Sequence, residues 1–141
     1  MDGKELTKRF EGFSDKVYLD SLGNPTIGWG CHLFVGRRIP TEILERLFDG
    51  DYRIATKGYD ALHLDLDPVR RIAVIDLIFN MGLAKFMKFK RTLDAIRSGD
   101  YESAANHLAD SRWYRQVGNR GREIVSMMRT GTPPTAHHIK Q

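Results

Sequence analysis

The sequence predicts an α+β protein in which a small β-hairpin lobe is joined by a long helix to a helical lobe. Three observations carry this. Residues 16–20 and 26–30 alternate polar and apolar around a Ser21, Gly23, Asn24, Pro25 turn cluster, the signature of two short strands and a tight connection. Residues 69–79 are apolar almost all round a helical wheel, which places that helix at the centre of a core. Cap residues and glycine stops then divide the remainder into several short helices.

Taken in order, Asp2 with Glu5 three residues on reads as a capping box. Leu6 and Phe10 supply an apolar stripe for a first helix that ends near Glu11, before Gly12. On the hairpin, Val17, Leu19, Ile27 and Trp29 share one face and are expected to pack inward. Lys16, Tyr18 and Asp20 lie opposite Thr26, Gly28 and Gly30 on the other face, which is expected to stay open to a ligand. Residues 36–40 are read as a loop with room for a short third strand. Thr41 is expected to cap a helix with Leu44, Leu47 and Phe48 inward. It continues through Tyr52 and Ile54 despite Gly50, with hinge positions at Gly50 and Gly58. Asp67 followed by Pro68 starts the central helix. Helices are further expected over 91–98, 101–108 and 112–116, and one capped by Asn119 that stops at Gly131. The tail, 133–141, is expected to fray. The lobes are drawn at about 12–50 for the hairpin, and at about 1–11 and 60–132 for the helical part, within one domain.

At 141 residues and 16.2 kDa the chain suits one domain, with 41% hydrophobic and 28% charged residues. No apolar run reaches the roughly 18 residues of a membrane span. The polar, acidic N-terminus lacks the features of a secretory signal. A protein made in the cytosol, with no stable membrane insertion, is therefore expected. One cysteine, Cys31, excludes an internal disulfide and is read as structural. No His or Cys pair stands at metal-ligand spacing, so neither metal nor cofactor is expected. Net charge is +4 and uneven: residues 1–66 carry −2 and residues 67–141 carry +6, which suits an anionic polymer. The basic residues are scattered over helices without an aromatic strand platform, which argues against single-strand nucleic-acid binding. Trp113 and Tyr114 read as core, not as stacking platforms.

Glu11 and Asp20 are candidates for general acid and base. Hydrolysis of a glycosidic bond needs one protonated carboxyl to serve the leaving oxygen and one ionised carboxylate to activate water. Glu11 at a helix C-terminus sits where the dipole disfavours charge, and Asp20 at a hairpin end is expected to stay ionised. From spacing alone the plainer alternative is favoured: a surface helix residue and a turn former.

The stretch EGFSDKVYLDSLGNPTIGWG resembles the active-site region of the T-even phage lysozymes, glycoside hydrolase family 24. Further blocks resemble the family in the same order: Asp67–Arg71 through Phe79-Asn80-Met81-Gly82, Ser111-Arg112-Trp113-Tyr114, Asn119-Arg120 and Arg129–Thr132. The resemblance implies a lysozyme-like fold with the active site in a cleft between lobes, and Glu11, Asp20 and Thr26 as the catalytic set. It implies Leu33, Phe79 and Asn80 as substrate contacts, Arg120 as a partner of Glu11, and a His32–Asp51 ion pair. The implied activity is that of a muramidase cutting peptidoglycan for bacterial lysis, a monomer whose release to the wall depends on a holin. The alternative is a non-catalytic, tail-associated wall-binding module. The chain departs from the family pattern at Asn80 (a glutamine there), at Cys31 (an extra residue), in a shorter 33–41 connection and in a tail without aromatics.

Overall fold

A computed structural model describes residues 1–134; the tail segment 135–141, expected to fray, lies outside the described residues. The fold is α+β and lysozyme-like: one three-stranded antiparallel sheet and, among the described residues, eight helices. The chain divides into two compact units, Met1–Leu44 and Glu45 onward. The first helix and the hairpin both fall in the first of these units.

In the first unit, α1 (Gly3–Glu11) opens on the expected capping box. Asp2 accepts from the N–H of Glu5, whose side chain accepts from the N–H of Asp2. Gly12 ends it at φ 72°, donating to the Lys8 carbonyl. Strands β1 (Ser14–Leu19), β2 (Pro25–Gly28) and β3 (Cys31–His32) lie in the order β1-β2-β3. The third strand is thus 31–32, and 36–40 is loop. Tyr18 faces Thr26 but Ser14 faces Gly28, so β1 holds two extra residues against β2 and is bulged between them. The inward apolar face is not realised: Val17 is 57% and Leu19 68% exposed. A 44-residue unit with three short strands has too little chain to cover both faces of its sheet. What ties α1 to the sheet is an aromatic seam. Phe13 and Trp29 have ring centroids 4.7 Å apart, and Lys8 Nζ lies 4.1 Å over the Trp29 ring.

Helix α2 (Thr41–Leu62) begins after Pro40, whose carbonyl takes the N–H groups of Ile43 and Leu44, and runs unbroken through Gly50 and Gly58. Its expected inward residues, Leu44, Leu47 and Phe48, are exposed. Burial falls instead on Ala55, Gly58, Tyr59 and Leu62. Gly58 lets the helix approach the core closely, since a Cβ there would stand 3.4 Å from Ile78 Cγ2.

Helix α3 (Pro68–Met81) is the centre of the second unit, capped by Asp67 and burying Ala73, Val74, Ile75, Leu77 and Ile78. Around it stand α4 (Leu83–Met87), which periodicity missed because it is a single turn and a half, α5 (Lys90–Arg97), α6 (Tyr101–Ala109), α7 (Arg112–Val117) and α8 (Asn119–Thr130). Asp100 and Ser111 cap α6 and α7. Asn119 is the first helical residue of α8 and not its cap, and Gly131 ends that helix in the left-handed conformation. Arg70 locks the ends together. Its Nε donates to the Met128 carbonyl at 2.7 Å, Nη2 to the Arg129 carbonyl at 3.2 Å and Nη1 to Asp67 at 3.1 Å, over the Tyr101 ring. Trp113 is core as expected, and Tyr114 packs against it. No helix among the described residues is long and apolar enough to cross a membrane.

Candidate active site

All three candidate catalytic residues belong to the first unit. Asp20 closes the hairpin turn. Its N–H donates to the Asn24 carbonyl, and its carbonyl accepts from Gly23, whose φ of 82° only glycine adopts easily. The carboxylate is wrapped by donors. Oδ1 accepts from the N–H groups of Leu22 at 2.9 Å and Asn24 at 2.8 Å; Oδ2 has the Asn24 amide at 3.3 Å and His32 Nε2 at 3.4 Å. The Asn24 N–H, helped by Leu22, the Asn24 amide and the His32 charge, holds Asp20 below the ordinary aspartate range against the smaller opposing pull of burial. The two oxygens differ. Oδ1 is spent on the turn at short range, whereas Oδ2 keeps capacity for a further, closer partner.

Asp20 is therefore the turn former of the plainer reading and an ionised carboxylate at once; the two readings do not compete. Asn24, which sequence reasoning treated as one turn residue among four, is the hub of the arrangement. It gives two donors to Asp20, and its carbonyl accepts the Thr26 hydroxyl at 2.8 Å. The signal available for it was the Asx pattern of an aspartate with turn residues two to four positions on.

Thr26 stands in the middle strand between Tyr18 and His32 and is only 1% exposed. The face expected to be open is thus closed to solvent at Thr26 itself. With its proton committed to Asn24, the hydroxyl can only accept further hydrogen bonds.

Glu11 is the last residue of α1, with an exposed side chain that accepts no hydrogen bond within the first unit. Its carboxyl lies flat against Gly30. A Cβ on that glycine, whose φ is 72°, would stand 2.4 Å from Glu11 Oε2 and 2.9 Å from Cδ. Gly30 thus sets where the Glu11 carboxyl rests, a role that strand alternation had described only as a floor without side chains.

Of the supporting residues, His32 pairs with Asp20 within the first unit, and Asp51 lies exposed on α2 in the second. The physical reason is the β2–β3 pairing, which sets His32 beside Thr26 at the Asp20 end of the hairpin. Arg120 was expected beside Glu11. In the second unit both its edges are taken by Asp76, Nε to Oδ2 and Nη2 to Oδ1, each at 2.9 Å. That bidentate carboxylate holds the guanidinium above its ordinary value. Asp76 was missed, although a lone carboxylate inside the run Ala73-Val74-Ile75-Asp76-Leu77-Ile78 is itself a signal for a charged partner.

Among the expected substrate contacts, Leu33 is half-buried, and its N–H extends the β2–β3 pairing by a bond to the Pro25 carbonyl. Phe79 belongs to an aromatic trio in the second unit, 5.5 Å from Phe48 and 6.3 Å from Tyr52 by ring centroids. Asn80 Oδ1 accepts the indole N–H of buried Trp113 at 2.8 Å, which leaves the amide NH₂ as its remaining donor. Cys31 is half-buried and accepts from Arg37 Nη1 at 2.8 Å.

The sequence profile of the phage lysozyme family matches residues 8–129, a span that takes in every residue named above. The chain belongs to the phage lysozyme family. At that level it is a lysozyme-type glycosidase that hydrolyses peptidoglycan. It is 29% identical to Probable T4-type lysozyme 1 of Dictyostelium discoideum over 128 residues, covering 86% of this chain and 68% of that one. It is 27% identical to Probable T4-type lysozyme 2 of the same organism, over 92% of this chain and 94% of the relative. It is also 30% identical to the pre-baseplate central spike protein Gp5 of Enterobacteria phage T4, over 93% of this chain but only 28% of that longer protein.

Proposed function

We propose that the protein is a muramidase that hydrolyses the β-1,4 bond between N-acetylmuramic acid and N-acetylglucosamine with inversion at the anomeric carbon. The observation that supports it is the contrast between the two carboxyl groups. Asp20 is held ionised by three hydrogen bonds and the His32 ion-pair contact, whereas Glu11 accepts no hydrogen bond within its unit. An ionised Asp20 cannot donate a proton, so the acid is Glu11. Its O–H protonates the glycosidic oxygen as the C1–O bond breaks. Water forms the new C1–O bond and passes a proton to Asp20 through Oδ2, the oxygen the turn leaves underused. Thr26 accepts the second O–H of that water and so orients it. A carboxylate already engaged by hydrogen-bond donors is a poor covalent nucleophile, which favours attack by water. Leu33, Phe79 and Asn80 are proposed as sugar contacts. The biological role proposed is bacterial lysis, the wall being reached with the help of a holin.

The likeness to a tail spike protein supports a second reading, a tail-associated module that grips peptidoglycan without cutting it. Mass spectrometry of soluble fragments from purified sacculi separates the two. Hydrolysis gives reducing muramic ends, lost in Glu11→Gln with the fold intact, and the α anomer appears first by NMR. Anhydro ends, the β anomer first, or sedimentation with sacculi without fragments would each overturn the muramidase proposal.

A further inference from the structure

The His32–Asp20 contact is unexplained by a purely structural role for that histidine. The ring is half exposed, buries little and joins no core. Yet strand pairing sets it in the row Tyr18–Thr26–His32, directly beside the catalytic turn, with Nε2 3.4 Å from Oδ2, the oxygen that the turn's backbone N–H groups leave unused. The Asn24 amide is the hydrogen-bond donor on that oxygen, and both it and the His32 contact are long enough to yield to a closer ligand.

We propose that His32 is the positioning residue of Asp20, holding Oδ2 in the plane where it meets the water while Asn24 fixes Oδ1. This rests on the reading of Asp20 as the base. Without His32 the Asn24 amide at 3.3 Å is left as the one side chain on Oδ2 within the first unit, and the carboxylate has more freedom to turn about its Oδ1 bonds. The groups facing His32 within the first unit are Asp20 across the turn, Tyr18 in the same row and, on its own strand, Cys31. Arg37 Nη1 donates to the His32 carbonyl and to Cys31 Sγ. Asp20 is the carboxylate in ion-pair contact with the ring, so exchange at His32 is felt there first.

The test uses His32→Phe, which keeps a planar ring without a donor, and His32→Gln, which keeps a side-chain N–H without a charge. Asp20→Asn is the control on the functional reading. The readouts are the carboxyl carbon titration of Asp20 by NMR and kcat and KM on soluble glycan across pH. In His32→Phe the Asp20 titration and the acid limb of kcat both move up by roughly half a unit. Its kcat falls roughly tenfold with KM within about twofold. His32→Gln shows a smaller rise and keeps kcat within about threefold. An unchanged Asp20 titration in both variants overturns the inference, as does a loss that only tracks the folded fraction. If Asp20→Asn is inactive while the His32 variants behave as the parent, the inference alone fails. If Asp20→Asn retains full activity, the functional reading fails with it.

Discussion

Gly30→Ala should separate the stability of the first unit from its chemistry. Two effects act at this position. The backbone φ of 72° is in the left-handed region, where a Cβ costs about 1–2 kcal/mol. The added methyl also meets the Glu11 carboxyl, Oε2 at 2.4 Å, and that contact must open to the 3.4 Å of an ordinary one. The backbone of Gly30 is held by strands on either side. Glu11 is the free end of an exposed side chain, so the carboxyl gives way by about 1 Å at little expense in folding energy. A misplacement of that size at a reacting group costs about 10²-fold in rate. Gly28→Ala is the matched control: its φ is 66°, and a Cβ there meets nothing within 4 Å. Both variants should lose about 1–2 kcal/mol in urea unfolding. Only Gly30→Ala should lose about 10²-fold in kcat on soluble peptidoglycan. Equal losses of activity in the two variants, or a Gly30→Ala enzyme within threefold of the parent, would refute the placement of Glu11 by Gly30.

Other perturbations test the scaffold. Arg70→Met removes three charge-assisted bonds, two that join the start of α3 to the end of α8 and one to the cap residue Asp67, and should destabilise by roughly 3 kcal/mol in urea unfolding; a loss below about 1 kcal/mol would contradict the locking role. The Asp76–Arg120 pair is partly exposed, so a double-mutant cycle should give a coupling of about 1 kcal/mol or less, and zero coupling would mean that the bidentate pair does not persist in solution. The Ser103 N–H and hydroxyl hold Asp100 below its ordinary value, and the Arg70 bonds do the same for Asp67 against the opposing pull of burial. Both carboxylates stabilise the fold above about pH 4, and the contribution fades as pH falls through their depressed values. Tm should therefore decline on acidification, and Asp100→Asn should flatten that decline; an identical acid limb in the variant would contradict it.

Local chemistry was legible in the residues. The Asp2–Glu5 capping box, the Asp67-Pro68 start of α3 and the glycine stops at Gly12 and Gly131 are decided within four or five positions, and each stands as read. The hairpin was legible too, because alternation and turn chemistry are short-range. Glu11, Asp20 and Thr26 could be named from the sequence as candidates, and only the resemblance lifted Glu11 and Asp20 above the plainer reading. Burial was not legible in the same way. Val17, Leu19, Leu44 and Leu47 have the right periodicity for inward faces, but periodicity tells which residues share a side and not whether anything covers that side.

Pairing was the other matter left to the tertiary structure. Asp20 belongs to His32 because β3 is laid against β2, and Arg120 belongs to Asp76 across 44 positions of chain. Glu11 rests on Gly30 because a lysine and two aromatic rings draw α1 onto the sheet. A charge announces in the sequence that it needs a partner. Which partner it takes depends on distances that exist only once distant segments have been brought together.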